Sequence, residues 1–139
     1  MRTSLVTDPT TSRDGWIDAP IRPEWIRSGT PTARVRRVAD SRDSTTAIVE
    51  WECTPGRFVW DFGAEDETVV VLSGEVHLTW SDGTERTIVT GDIVQFDAGS
   101  VVEWEVRSTV RKAAMCRAPL GRFAAFGRRI DARIARVRR

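Results

Sequence analysis

The chain is 139 residues long, 40% hydrophobic and 29% charged, with a net charge of +1, which makes it one domain by size, able to bury a core without staples. Two cysteines exclude a disulfide framework; a single histidine, His77, excludes a metal site built on two or three imidazoles of one chain and leaves any Ser-His-Asp triad only that one base. No apolar run approaches the roughly 20 residues that span a bilayer, and the opening MRTSLVTDPTTSRDG lacks the apolar core of a signal peptide, so a cytoplasmic protein is expected.

Residues 1–15 are polar and unpatterned, a loose leader. Residues 16–31 carry Pro20, Pro23 and Pro31 among Trp16, Ile17, Ile21, Trp25 and Ile26. Proline at that density forbids a long helix, and the aromatics argue for an extended arm (residues 1–32 in all), with one turn at Pro23 to Arg27, laid over the domain surface.

From Ala33 the pattern is β. Ala33 to Ala39 and Thr45 to Cys53 alternate, with Ala47, Val49 and Trp51 opposing Ile48, Glu50 and Glu52. Thr54-Pro55-Gly56 is a turn. Arg57 to Phe62 places Phe58, Trp60 and Phe62 on one face. Glu67 to Leu72, a Ser73-Gly74 turn, and Glu75 to Trp80 follow. Ser81-Asp82-Gly83 closes a hairpin into Glu85 to Val89. Ile93 to Phe96, Val101 to Val106 and Val110 to Cys116 complete eight or more short strands with turn signals between them, the pattern of an antiparallel sandwich or barrel.

Residues 119–139 differ. Phe123, Phe126, Ile130, Ile134 and Val137 recur at steps of three and four, predicting an amphipathic helix. Residues 121–139 hold seven arginines against one aspartate, a surplus of six, so with a net charge of +1 the rest of the chain carries −5. The apolar stripe is best read as packing on the barrel or on a dimer partner. An acidic body without aromatic-basic interleaving argues against nucleic acid, and nothing beyond the helix itself favours a membrane surface.

The segment Trp51-Glu52-Cys53-Thr54-Pro55-Gly56-Arg57-Phe58, followed by Asp66-Glu67-Thr68, Leu72-Ser73-Gly74-Glu75-Val76, Gly91-Asp92, Ala98-Gly99, Trp104-Glu105-Val106 and Val110-Arg111-Lys112, resembles the cupin superfamily. More narrowly it resembles the small single-domain cupins related to ureidoglycine aminohydrolase. The resemblance covers about Ala47 to Arg117. It implies an all-β, conical jelly-roll barrel over residues 33–118 with a pocket at its wide end, and a homodimer.

It also implies where a metal would sit. The first cupin motif places two histidines before a Glu that is separated from a Gly by six residues; here the Glu is Glu67 and the Gly is Gly74. The histidine positions fall on Trp60 and Phe62, or, with the shorter spacing, on Asp61 and Gly63. The second motif starts at Gly91 and puts its histidine at Val102. One carboxylate remains and the imidazoles are gone, so no metal and no cofactor are expected.

Strand parity sets Glu67, Val69 and Val71 on one face, and the motif positions turn that face inward. The expected site is an aromatic-lined pocket with Trp60, Phe62, Val69, Val102 and Trp104 as ligand-binding residues and Glu67 as polar anchor or catalytic acid/base. Burial penalises a lone carboxylate, and an arginine such as Arg57 or Arg111 is the available partner. His77 reads as a surface or interface residue. Three functions stay open: a metal-free cupin binding a small organic molecule; a lyase, isomerase or hydrolase using Glu67; and a structural or regulatory dimer with a vestigial pocket.

Overall fold

Two long strands carry the architecture in this computed structural model, which describes residues 15–118. β6 (Asp66–Trp80) and β9 (Val101–Arg117) run antiparallel from Asp66 opposite Arg117 to Trp80 opposite Val102. Each changes its outer neighbour partway along. The first half of β9 pairs with β5 (Gly56–Asp61) and the second half with β4 (Thr46–Cys53). The first half of β6 pairs with β8 (Ile93–Phe96) and the second half with β7 (Glu85–Val89). β3 (Ala33–Asp40) extends the sheet beyond β4. The result is one curled, nine-stranded, all-β sheet around one core, as expected.

The sequence signals at Ser73-Gly74 and between Val106 and Val110 predict turns that separate strands. They are instead bends within β6 and β9. The register of β6 against β9 shifts at Val71, Ser73 and Glu75, and pairing resumes beyond. The inward set of β6 changes there from Glu67, Val69 and Val71 to Val76, Leu78 and Trp80. Gly74 makes this possible: its φ is +89°, and a Cβ would lie 2.7 Å from the Val110 Cα. A side chain would meet both a left-handed backbone and the crossing strand.

The proline-rich arm does more than lie on the surface. β1 (Ile17–Asp18) pairs with β3, and β2 (Ile26–Ser28) pairs with β5, joined through a 3-10 turn at Pro23–Trp25. Ile21 is buried in the core and Trp25 meets Trp60 edge-on, centroids 5.2 Å apart. The predicted helix of residues 119–139 lies outside the described residues. No helix among the described residues is long and apolar enough to cross a membrane.

Candidate functional site

The barrel interior is built from alternate residues of four strands. Trp51 of β4, Phe58 and Trp60 of β5, Phe96 of β8 and Trp104 of β9 all point in. Trp51 meets Trp60 and Trp104 edge-on at 6.0 and 5.9 Å, and Phe58 stacks on Trp104 at 6.0 Å. Phe62, just after β5, stacks on Phe96 at 4.5 Å. These contacts follow from register, because Phe58 opposes Trp104 and Trp60 opposes Val102 across β5 and β9. Offset and edge-on arrangements are those that ring quadrupoles favour.

Into this aromatic interior projects the chain's only lysine. Lys112 is 6% exposed. Its ammonium lies 4.8 Å from the Trp51 ring centroid and 4.9 Å from that of Trp104. It donates to Glu67 Oε1 at 2.5 Å, the two side chains being 8% and 12% exposed. Backbone pairing explains the geometry. Trp51 opposes Lys112 across β4 and β9, so the ammonium falls on the neighbouring indole. Glu67 opposes Cys116, two inward positions further along β9. The inward residue between them is Ala114, small enough for a lysine to reach past.

The five residues expected to bind ligand all face the interior. Val69 and Val102 are fully buried, Trp104 and Phe62 nearly so, and Trp60 is half-buried. The structure corrects the partner of Glu67. Arg57 lies on the outer face, 3.6 Å from Glu103, and Arg111 pairs with Glu50 at 3.0 Å. Parity is the reason: Arg57 and Arg111 each adjoin an inward residue and so point outward. The sequence reading missed Lys112, although its alternation with Val110 and Ala114 and its being the only lysine were both visible.

Could this interior hold the metal that the cupin resemblance implies? The donor set does not fit. Trp60, Phe62 and Val102 at the imidazole positions supply no ligand atom, and the one carboxylate already accepts from an ammonium. Asp61, the alternative position, is exposed and accepts the Gly63 N–H at 2.8 Å. Among the described residues no group of three or more His, Cys, Asp or Glu side chains comes together. Divalent metals of this class need about three nitrogen, sulfur or carboxylate donors.

Two thiols border the ion pair. Cys53 and Cys116 are free, and burial pushes each up to about 12; the Glu67 charge adds to the shift of Cys116. They are therefore neutral thiols and poor nucleophiles. His77 faces outward, with Nδ1 2.9 Å from Thr87 Oγ1 and Nε2 3.3 Å from Glu85 Oε1. It is remote from the interior face and takes no part in the Glu67 site.

A curled antiparallel barrel that keeps the motif-1 glutamate turned inward defines a cupin domain. The chain belongs to the EutQ-like cupin domain family, which it matches over residues 40–114. Solved structures agree on the fold. An ethanolamine utilization protein Q from Salmonella typhimurium is 23% identical over 63% of this chain and 70% of that chain, with a TM-score of 0.55. A protein of unknown function of the DUF861 family from Pseudomonas syringae is 25% identical over 73% of this chain but only 43% of that one, with a TM-score of 0.66. An ectoine synthase from P. lautus is 20% identical over 68% of this chain and 70% of that one, with a TM-score of 0.57. No curated protein matches the sequence. The narrower resemblance to ureidoglycine aminohydrolase is not separately shown by these matches.

Proposed function

We propose that this protein is a metal-free cupin that binds a small organic molecule in its aromatic barrel. The observation that carries the reading is the Lys112–Glu67 pair, an ion pair ringed by indoles where the donors of a metal site are missing. Apolar walls with a few convergent polar groups are the usual make-up of a small-molecule site. Trp60 is the half-buried aromatic nearest the arm, and it supplies the face on which a flat ligand would stack. A thermal-shift screen of wild type and Trp60→Ala against a panel of small metabolites tests this. Stabilisation of wild type by at least one compound, reduced in Trp60→Ala, is expected; a panel that stabilises neither protein, or one mole of tightly bound transition metal per chain, overturns it.

A second reading has its own observation. A carboxylate and an ammonium held 2.5 Å apart in an apolar interior are a candidate acid/base pair, so a lyase, isomerase or hydrolase using Glu67 is the alternative, with turnover lost in Glu67→Gln. The homodimer belongs to the proposal too. On the outer face Ile48 opposes Met115, and Val70 opposes both Ala113 and Ile93. Ile48, Met115 and Ile93 are exposed, an apolar strip that a second copy would cover. Light scattering giving a mass of twice 15.6 kDa is the expected result. Two unpaired thiols suit a reducing compartment, in keeping with cytoplasmic action.

A further inference from the structure

The Lys112–Glu67 pair is balanced in charge and unbalanced in hydrogen bonding. One ammonium faces one carboxylate, so the interior is neutral. An ammonium has three N–H donors. One goes to Glu67 Oε1; the others meet indole faces and no oxygen acceptor among the described residues. Trp104 adds a fourth donor. Its Nε1–H is buried, and no acceptor reaches it among the described residues. A buried donor without an acceptor costs about 1–3 kcal/mol, so four strands are spending stability to keep these donors open. An occupant that supplied an acceptor would relieve the cost. A second carboxylate would relieve it only by adding an unpaired negative charge to a neutral, apolar interior.

We propose that Lys112 is the barrel's resident cation and that it binds the uncharged carbonyl oxygen of an amide- or ketone-like ligand, with the Nε1–H of Trp104, whose ring it faces, as a second open donor for a polar group of that ligand. The proposal rests on the small-molecule reading above and names the ligand's chemistry. Indole faces hold the ammonium in place without consuming a lone pair, which leaves its charge available to an oxygen. The carbonyl end of the ligand would sit toward Lys112, and its apolar body against the half-buried Trp60.

Four probes of one shape separate the possibilities: benzamide, benzoate, toluene and benzylammonium, titrated into the full chain by ligand-observed NMR. The indole N–H resonances are followed in parallel, that of Trp104 assigned by its loss in Trp104→Phe. Benzamide is expected to bind about tenfold or more tightly than toluene or benzoate, the effect of one charge-assisted hydrogen bond, and benzylammonium least. The Trp104 N–H should shift with benzamide and not with toluene. Lys112→Met should keep toluene binding and lose the preference for benzamide. Equal affinity for toluene and benzamide, a preference for benzoate, or an unmoved Trp104 N–H overturns this inference and leaves the pocket reading intact. Binding of none of the four overturns both. The wild-type ranking needs no variant, so the test stands even where Lys112→Met does not fold.

Discussion

Arg111 and Lys112 are consecutive on β9 and face opposite ways, and each sits in a cluster of cation, carboxylate and indole. Outside, Glu50 Oε2 accepts from Arg36 at 2.8 Å and from Arg111 at 3.0 Å, and the Trp16 ring lies 5.4 and 5.3 Å from their guanidinium carbons. Inside, Lys112 meets Glu67 between Trp51 and Trp104. The outer cluster works sideways. Arg36 opposes Glu50 across β3 and β4, and Arg111 ties in β9, so three strands are cross-linked by one carboxylate, which suits the multiple donors of guanidinium. The inner pair runs along β9 toward a strand already paired with it from end to end. The sheet does not need that pair for its connectivity. A lysine placed there, in a chain whose other 20 basic residues are arginines, points to a role beyond holding strands together.

The division between the two faces depends on the bend at Gly74, where the inward set of β6 changes. Gly74→Ala forces a side chain into a left-handed backbone and against Val110. It should cost about 4 kcal/mol or more, the exceptional range reserved for backbone conflict in a core. Urea melts measure it, and a loss under about 1 kcal/mol would show that the bend tolerates a different parity.

Next in size come the carboxylates. Glu50→Ala leaves two guanidiniums facing each other with one side chain 6% exposed, a loss of about 3–5 kcal/mol. Lys112→Met leaves only Glu67, which keeps some solvent, and should cost less, about 2–3 kcal/mol. The sharper contrast is recovery. Lys112→Met with Glu67→Gln removes both charges and should return to within about 1 kcal/mol of wild type. If the double variant stays as unstable as the single one, the inner pair is structural like the outer.

Much of this contrast was legible in the sequence, and the missing part has a physical cause. Alternation groups Phe58, Trp60 and Phe62 on one face and sets Trp51 with Ala47 and Val49, because period-two burial is written locally, and the motif positions turn Glu67, Trp60, Phe62, Val102 and Trp104 inward. The bend at Gly74 is indistinguishable from a turn in the sequence because a glycine looks alike in both settings; only the pairing of β6 with β9, nearly forty residues apart at Ser73 and Arg111, keeps the strand going. The role of Lys112 is illegible for a different reason. A charge is ordinarily a sign of solvent, and its burial depends on Glu67 arriving from 45 residues away. The same holds for Arg36 and Glu50, which meet across β3 and β4 with Trp16 of the arm beside Arg36.

The inner face also carries the two thiols, which makes it the alkali-sensitive one. The ordinary Cys value here is 9.0, and burial pushes Cys53 and Cys116 up to about 12. A raised folded value means the unfolded chain ionises first. The stability these thiols contribute is complete below about pH 9 and is lost as pH rises toward 12. Melting temperatures at pH 8 and about pH 10.5 should fall further in wild type than in Cys53→Ala/Cys116→Ala. An equal fall in both would place the alkaline sensitivity elsewhere. The same neutrality predicts slow alkylation by iodoacetamide at pH 8, against fast reaction of the unfolded chain.

The smallest effect expected is at the roof of the outer cluster. Trp16 lies 5.5, 5.4 and 5.3 Å from the guanidinium carbons of Arg34, Arg36 and Arg111, and it is held there by β1 pairing with β3 through Ile17 and Asp18. Cation–π contacts at partly exposed sites are worth about 0.5–1 kcal/mol, and Arg36 and Arg111 keep Glu50 without them. Trp16→Ala should therefore cost about 1 kcal/mol and leave benzamide binding unchanged, since the roof and the inner pair lie on opposite faces of one strand. Should Trp16→Ala alter ligand affinity severalfold, the faces are coupled through Arg111 and Lys112, and the division of labour between holding the sheet and meeting a ligand does not stand.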